Sequence, residues 1–143
     1  MLIRRWEFAD LERINQIEQA SFSDPWSLNA LEGVTNASNF FGLVIEENDI
    51  VVGYVGANSV LDEGEILLVA VDSNCRGKGY GKALVNTLLD EFSSKDIKVV
   101  FLEVRKSNAT AIACYQKCGF YKIAERARYY RDGEDAIIME RKL

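Results

Sequence analysis

Three glycines alternate in Arg76-Gly77-Lys78-Gly79-Tyr80-Gly81, and the residues on either side have opposite periodicities. Before them, Glu65-Ile66-Leu67-Leu68-Val69-Ala70-Val71 is almost wholly apolar and reads as a buried strand. After them, Leu84, Leu88 and Phe92 recur at i, i+4 and i+8, the stripe of an amphipathic helix over Lys82–Phe92. A second apolar run, Lys98–Val104, follows that helix. Strand, helix and strand in this order predict a parallel, right-handed crossover. The glycines let the turn present several backbone N–H groups in one direction, and the helix N-terminus adds partial positive charge. With Arg76, Lys78 and Lys82 beside it, the turn is a candidate site for a phosphate-bearing ligand.

Two better-known phosphate motifs do not fit the stretch. A Walker A loop needs four residues between its first glycine and the Gly-Lys pair, then Ser or Thr for magnesium; here Gly81-Lys82 is followed by Ala83. A dinucleotide fingerprint needs two residues before its third glycine, whereas Gly77, Gly79 and Gly81 are spaced by one.

The remaining chain reads as Leu2–Trp6 (strand), a helix capped by Asp10 with Leu11, Ile14 and Ile17 on one face, and a short helix capped by Ser27 and running to about Val34. Phe40–Glu46 and Ile50–Asn58 form a hairpin, and Glu63–Val71 is the next strand. Asn108 caps a helix ended by Gly119, and Phe120–Tyr130 pairs with Asp135–Arg141. The expectation is one domain over residues 1–143 with helices on both faces of the sheet. Ligands of such sheets sit beyond the carboxyl ends of the parallel strands, where the glycine turn and Glu103 both fall.

Composition narrows the function. At 48% apolar and 27% charged the chain is globular, and no apolar run approaches the ~20 residues of a membrane span. Met1-Leu-Ile-Arg-Arg-Trp-Glu7 lacks the apolar stretch of a signal peptide, so the expected location is cytoplasmic. Three cysteines suit reduced thiols, with Cys114 and Cys118 as core residues rather than metal ligands, and no metal site is expected. A net charge of −5 argues against general nucleic-acid binding. With no histidine, acid–base chemistry falls to carboxylate, tyrosine, cysteine, lysine or water. Glu103 stands out because Val99–Leu102 and Val104 around it are apolar; it is either functional or paired with Arg105 or Arg76. Tyr115 and Asn108 taken alone read as a core residue and a cap, and Pro25-Trp26 and Tyr129-Tyr130 as packing or as walls for an extended substrate.

Several segments together resemble a known family. Ala70-Val71-Asp72, Arg76–Leu84 and Asn108–Tyr115 are similar to the GNAT N-acetyltransferase superfamily. Leu102–Asn108, Asp24-Pro25-Trp26-Ser27, Arg128-Tyr129-Tyr130 and Asp132–Met139 narrow the resemblance to the RimI-type alanine N-acetyltransferases, which modify the N-terminus of a small-subunit ribosomal protein. The resemblance implies an α+β fold (α/β/α) with a mixed, mostly antiparallel sheet of about seven strands, helices on both faces and the parallel crossover at the cofactor site. It implies acetyl-CoA as co-substrate, held by the backbone of Gly77, Lys78, Gly79, Tyr80, Gly81 and Lys82, by Val69, Ala70 and Val71 along the strand end, and by Arg76, Asn108 and Tyr115. Glu103 is then the general base and Tyr115 the general acid, with Pro25, Trp26, Tyr129 and Tyr130 on the acceptor side. One departure is Leu68, where relatives often carry Asn. The implied partner is a protein N-terminus; a lysine or small-amine acceptor, or a non-catalytic acetyl-CoA-binding domain, are the rival readings.

Overall fold

Burial along the chain follows the two periods expected from its sequence. In the computed structural model, which describes all 143 residues, Val100, Leu102 and Val104 are buried while their alternating neighbours are half-exposed. Leu84, Leu88 and Phe92 are fully buried on one helix face. The strands are β1 (Leu2–Arg5), β2 (Phe40–Glu47), β3 (Ile50–Val60), β4 (Glu63–Val71), β5 (Val99–Arg105), β6 (Tyr121–Arg126) and β7 (Ala136–Lys142). The helices are α1 (Leu11–Ser21), α2 (Leu28–Thr35), α3 (Tyr80–Ser94) and α4 (Ala109–Lys117). The strands make one sheet in the order β1-β2-β3-β4-β5-β7-β6. All neighbours are antiparallel except β4 and β5, the parallel pair joined through α3.

Two apolar layers sandwich the sheet. On one face Leu11, Ile14, Ile17 and Leu31 of α1 and α2 pack on Val44, Tyr54 and Leu68. On the other, Leu84, Leu88 and Phe92 of α3 and Tyr115 and Cys118 around α4 pack on Leu43, Val55, Val100 and Leu102. Burying side chains of this size stabilises by about 1.5–3 kcal/mol each. Gly64 marks how tightly α3 sits: a Cβ there would lie 2.5 Å from the Phe92 ring.

The parallel pair is short, and that shapes everything downstream. Register runs only from Glu63 opposite Val99 to Ile66 opposite Leu102. Directly after it, Ala57 and Gly56 of β3 face Ile66 and Leu68, so Leu67 is the extra residue of a β-bulge. The bulge bends β4, which stays paired with β3 to Val71, while β5 continues along β7 to Arg105. The two parallel strands therefore part, leaving the β5-facing backbone edge of residues 67–71 without a strand partner.

Two local expectations are corrected. Asp10 closes a short 3₁₀ turn and makes no side-chain cap on α1; its carboxylate instead accepts from the Glu7 N–H and from both terminal nitrogens of Arg4, at 2.7–2.9 Å. The strand expected over Phe120–Tyr130 stops at Arg126, because Arg128 takes a left-handed φ of 52° and residues 127–135 form a loop. Ser27 and Asn108 do cap α2 and α4, accepting from the N–H groups of Ala30 and Ala111.

Candidate active site

The glycine turn begins where β4 ends. Asp72 anchors it: one carboxylate oxygen caps a 3₁₀ turn through the Asn74 N–H, and the other accepts from Arg13 of α1 at 2.6 Å. Gly77 and Gly79 adopt φ of 80° and 81° with nothing within 4 Å of a would-be Cβ, so the backbone lies open to a ligand. Gly81 is different, already inside the first turn of α3, where a Cβ would meet Cys114 Sγ at 3.8 Å. The turn's cations have unequal commitments. Arg76 braces the end of β4 by donating to the Val71 carbonyl at 3.2 Å, and Lys78 is held by both oxygens of Glu47. Tyr80 donates to the same carboxylate. Lys82, exposed beside the α3 N-terminus, has no ion-pair partner.

A cavity of about 600 Å³ fills the gap where β4 and β5 part. Val69 and Leu68 line one wall, Glu103 and Val104 the other, and Asn108 and Tyr115 of the α4 segment close an end. The α1–α2 loop contributes Trp26 and the β6–β7 loop contributes Tyr129 and Tyr130, so the opening lies between two aromatic loops.

Glu103 is 27% exposed and meets no strong counter-ion: Arg126 stands at 4.0 Å. Neither expected partner is used, since Arg105 pairs with Asp132 and Glu134 at 2.9 and 3.0 Å and Arg76 serves the β4 carbonyl. The Glu103 carboxylate faces the Tyr129 hydroxyl and raises that phenol above its ordinary range. Glu65, on the same sheet face, is itself raised, first by burial and then by the charge of Glu103. Tyr115 is 7% exposed, its ring edge-on to Phe120 at 6.0 Å. Burial, then the neighbouring Cys114, Cys118 and Tyr130, push its hydroxyl well above the usual phenol range, so it keeps its proton at neutral pH. That hydroxyl has no protein hydrogen-bond partner, yet it is not a sealed, unsatisfied group; it opens to the cavity it lines.

An open anion cradle leading into a cleft between parting parallel strands can hold a long phosphate-bearing ligand with its reactive end beside Glu103 and Tyr115. Residues 6–120 match the acetyltransferase (GNAT) family. The chain belongs to the GNAT acetyltransferase family. It is an N-acetyltransferase, and acetyl-CoA is its acetyl donor. The ribosomal protein bS18-alanine N-acetyltransferase of Escherichia coli K12 is 35% identical, over 93% of this chain and 91% of the relative. The crystal structure of the Escherichia coli enzyme superposes with a TM-score of 0.92 at 34% identity, covering 99% and 92% of the two chains. Ard1 from Thermoplasma volcanium gives 0.93 at 30%, covering 99% and 97%. An uncharacterized N-acetyltransferase of Methanocaldococcus jannaschii, MJ1530, is 34% identical over 99% of this chain and 92% of its own.

In this acetyltransferase the cavity gathers Val69, Glu103, Asn108, Tyr115, Trp26, Tyr129 and Tyr130 from the sequence-derived site. Pro25, Ala70, Val71, Arg76 and the turn from Gly77 to Lys82 lie outside it. Three carboxylates near the site escape a reading by motif: Glu47, which holds the glycine turn, Glu65 beside Glu103, and Glu18 in the cavity wall. Glu18 had a signal, lying four residues after Ile14 and seven after Leu11 on the buried face of α1.

Proposed function

We propose that this protein acetylates the α-amine of a protein N-terminus in the cytoplasm, and that its acceptor is the N-terminal alanine of a small-subunit ribosomal protein. The observation that carries the reading is the cleft itself: a carboxylate and a protonated tyrosine face one cavity of about 600 Å³, which opens between two aromatic loops. Support for the acceptor comes from the bS18-alanine N-acetyltransferases of Escherichia coli and Salmonella typhimurium, each 35% identical over at least nine-tenths of this chain. No helix is long and apolar enough to cross a membrane.

The bound co-substrate supplies an acetyl group activated as a thioester. The backbone N–H groups of the glycine turn and the first turn of α3, with Lys82, hold its diphosphate, and Asn108 has an amide nitrogen free for it because only its oxygen serves as the cap. The unpaired edge of Val69–Val71 offers backbone donors along the cleft, including one for charge developing on the acetyl oxygen. Glu103 takes the proton from the incoming amine, directly or through water. Tyr115 holds a proton for the departing sulfur.

Deprotonation favours an α-amine over lysine. With a pKa of about 7.7–8.0, an α-amine is neutral to roughly a tenth at pH 7, whereas lysine at about 10.4 is neutral to well under a thousandth. That difference is worth roughly 3–4 kcal/mol. The test is an acceptor panel comparing a peptide with N-terminal alanine, the same peptide N-blocked with an internal lysine, and a polyamine. Turnover confined to the free N-terminus supports the reading; preferred turnover of lysine or polyamine replaces it.

A further inference from the structure

Glu18 has no part in the chemistry above, yet it is the most deeply buried carboxylate in the molecule, 2% exposed on α1. Its oxygens accept from the Tyr54 hydroxyl at 2.5 Å and from the Trp26 N–H at 3.0 Å. Both partners are pure donors toward it: an N–H cannot accept, and burial together with the Glu18 charge pushes the Tyr54 phenol far above its ordinary range. No lysine or arginine reaches Glu18, because every ion pair in the protein uses another carboxylate. A buried anion held only by neutral donors is expensive, and such a charge is normally matched by a cation.

The missing cation has somewhere to come from, since Glu18 lines the same cavity as Glu103 and Tyr115. The other charged groups facing that space are Asp24 of the α1–α2 loop, Glu103 and Arg105 of β5, and Arg131 of the β6–β7 loop. Arg105 is spent on Asp132 and Glu134, which leaves exposed Arg131 as the sole uncommitted positive group at the rim. Its polar tyrosines apart, the cavity wall is thus richer in carboxylates than in available cations. An amine enters this enzyme mostly as an ammonium ion, with one positive charge and three donors.

We propose that Glu18 is the counter-charge that receives the acceptor's ammonium group in the cavity, selecting cationic amines before Glu103 removes the proton. The inference rests on the amine-acceptor reading above and adds the residue that recognises the charged form. Tyr54 and the Trp26 backbone hold the carboxylate in place, and the same Trp26 bond ties the acceptor loop to it.

Glu18→Gln separates charge from bracing. The amide oxygen still accepts from the Trp26 N–H, and the amide nitrogen donates to the Tyr54 oxygen, whose hydrogen rotates away. Two probes are used: a peptide with N-terminal alanine, and the same peptide with a propionyl group in place of alanine, which lacks only the amine. At pH 7 the variant should raise KM for the amine peptide at least about tenfold, with the inhibition constant of the des-amino peptide and KM for acetyl-CoA unchanged. The increase should shrink toward unity near about pH 9.5, where the α-amine is neutral. A wild-type KM in the variant, or parallel losses for both peptides, overturns the proposal. Calorimetry on the wild-type protein supplies a check that needs neither a folded variant nor turnover: the amine peptide should bind more tightly than the des-amino peptide at pH 7 and lose that advantage near about pH 9.5. Equal binding at pH 7 also overturns it. Failure of the function reading looks different, as wild-type protein that transfers acetyl to no N-terminus.

Discussion

Replacing Tyr115 by Phe removes a single oxygen from the site. The ring stays edge-on to Phe120, and the lost hydroxyl had no protein partner, so folding stability should change by less than about 0.5 kcal/mol. The chemical loss is larger. Burial first, then the neighbouring thiols and Tyr130, keep the phenol protonated throughout an assay from about pH 6 to 9, so in the proposed mechanism it is a standing donor for the sulfur that leaves. Positioned acids contribute about 10²–10⁴-fold, equivalent to roughly 2.7–5.4 kcal/mol at 1.36 kcal/mol per decade. We expect kcat to drop by about 10² or more with KM for acetyl-CoA unchanged, measured by release of free coenzyme thiol alongside a melting curve. Because the tyrosine does not titrate in this window, the shape of the remaining pH–rate profile should survive the substitution. A variant with kcat within about threefold of wild type would return Tyr115 to the role of a packed core residue.

Glu103→Gln should lower kcat and move the pH optimum upward, toward pH values where the amine is already neutral, while calorimetry shows acetyl-CoA binding nearly intact; an unchanged pH–rate profile removes Glu103 from proton transfer. Gly79→Ala places a Cβ at φ 81° in open space, so the backbone strain of about 1–2 kcal/mol should reappear as a several-fold rise in KM for acetyl-CoA, with little effect on KM for the peptide. Asp10→Asn tests the Arg4 cluster: burial alone would raise this carboxyl, but Arg4 and the Glu7 N–H hold it below its usual value. A depressed folded-state pKa stabilises above the unfolded value of about 3.9, and that contribution disappears as pH falls through the folded value. Denaturant titrations should therefore show a gap of about 1–3 kcal/mol between wild type and Asp10→Asn at pH 7, closing in acid below about pH 3.9. A gap that persists there would assign the loss to packing.

The parts of the fold legible in the sequence are those with long, unmixed periods. The sequence reads as a strand over Glu63–Val71, and β4 spans those residues, bounded by the turn at Leu61-Asp62 and by Asp72. α3 begins two residues earlier than its apolar stripe suggests, because Gly81 reads as a loop residue but sits in the first turn of the helix. β6 is shorter than its sequence suggests, ending at Arg126. Tyr129 and Tyr130 favour strands, but the Arg128 N–H is taken by the Asp135 side chain and the Tyr130 N–H by the Glu134 carbonyl, which turns the aromatics toward the cavity. Asp10 looks like a cap until Arg4, six residues away, claims its carboxylate.

The site divides along similar lines. Glu103 was visible as a charge inside an apolar strand, and the glycine turn by its spacing. The bulge at Leu67 was not, since no residue type marks it and it arises only when β3 and β4 are paired. Glu18 was hidden because a glutamate on a helix ordinarily faces water; only its position seven residues after Leu11 betrays the buried face. Glu47 and Lys78 meet across thirty-one residues of chain, a contact no local pattern announces.

The most direct test of the account is to locate the transferred acetyl group. Incubating the protein with isotope-labelled acetyl-CoA and an N-terminal alanine peptide that also carries an internal lysine, then fragmenting the product by mass spectrometry, should place the label on the α-nitrogen alone. Label on the lysine side chain, or an unmodified peptide after wild-type protein has been shown to bind acetyl-CoA, would contradict it.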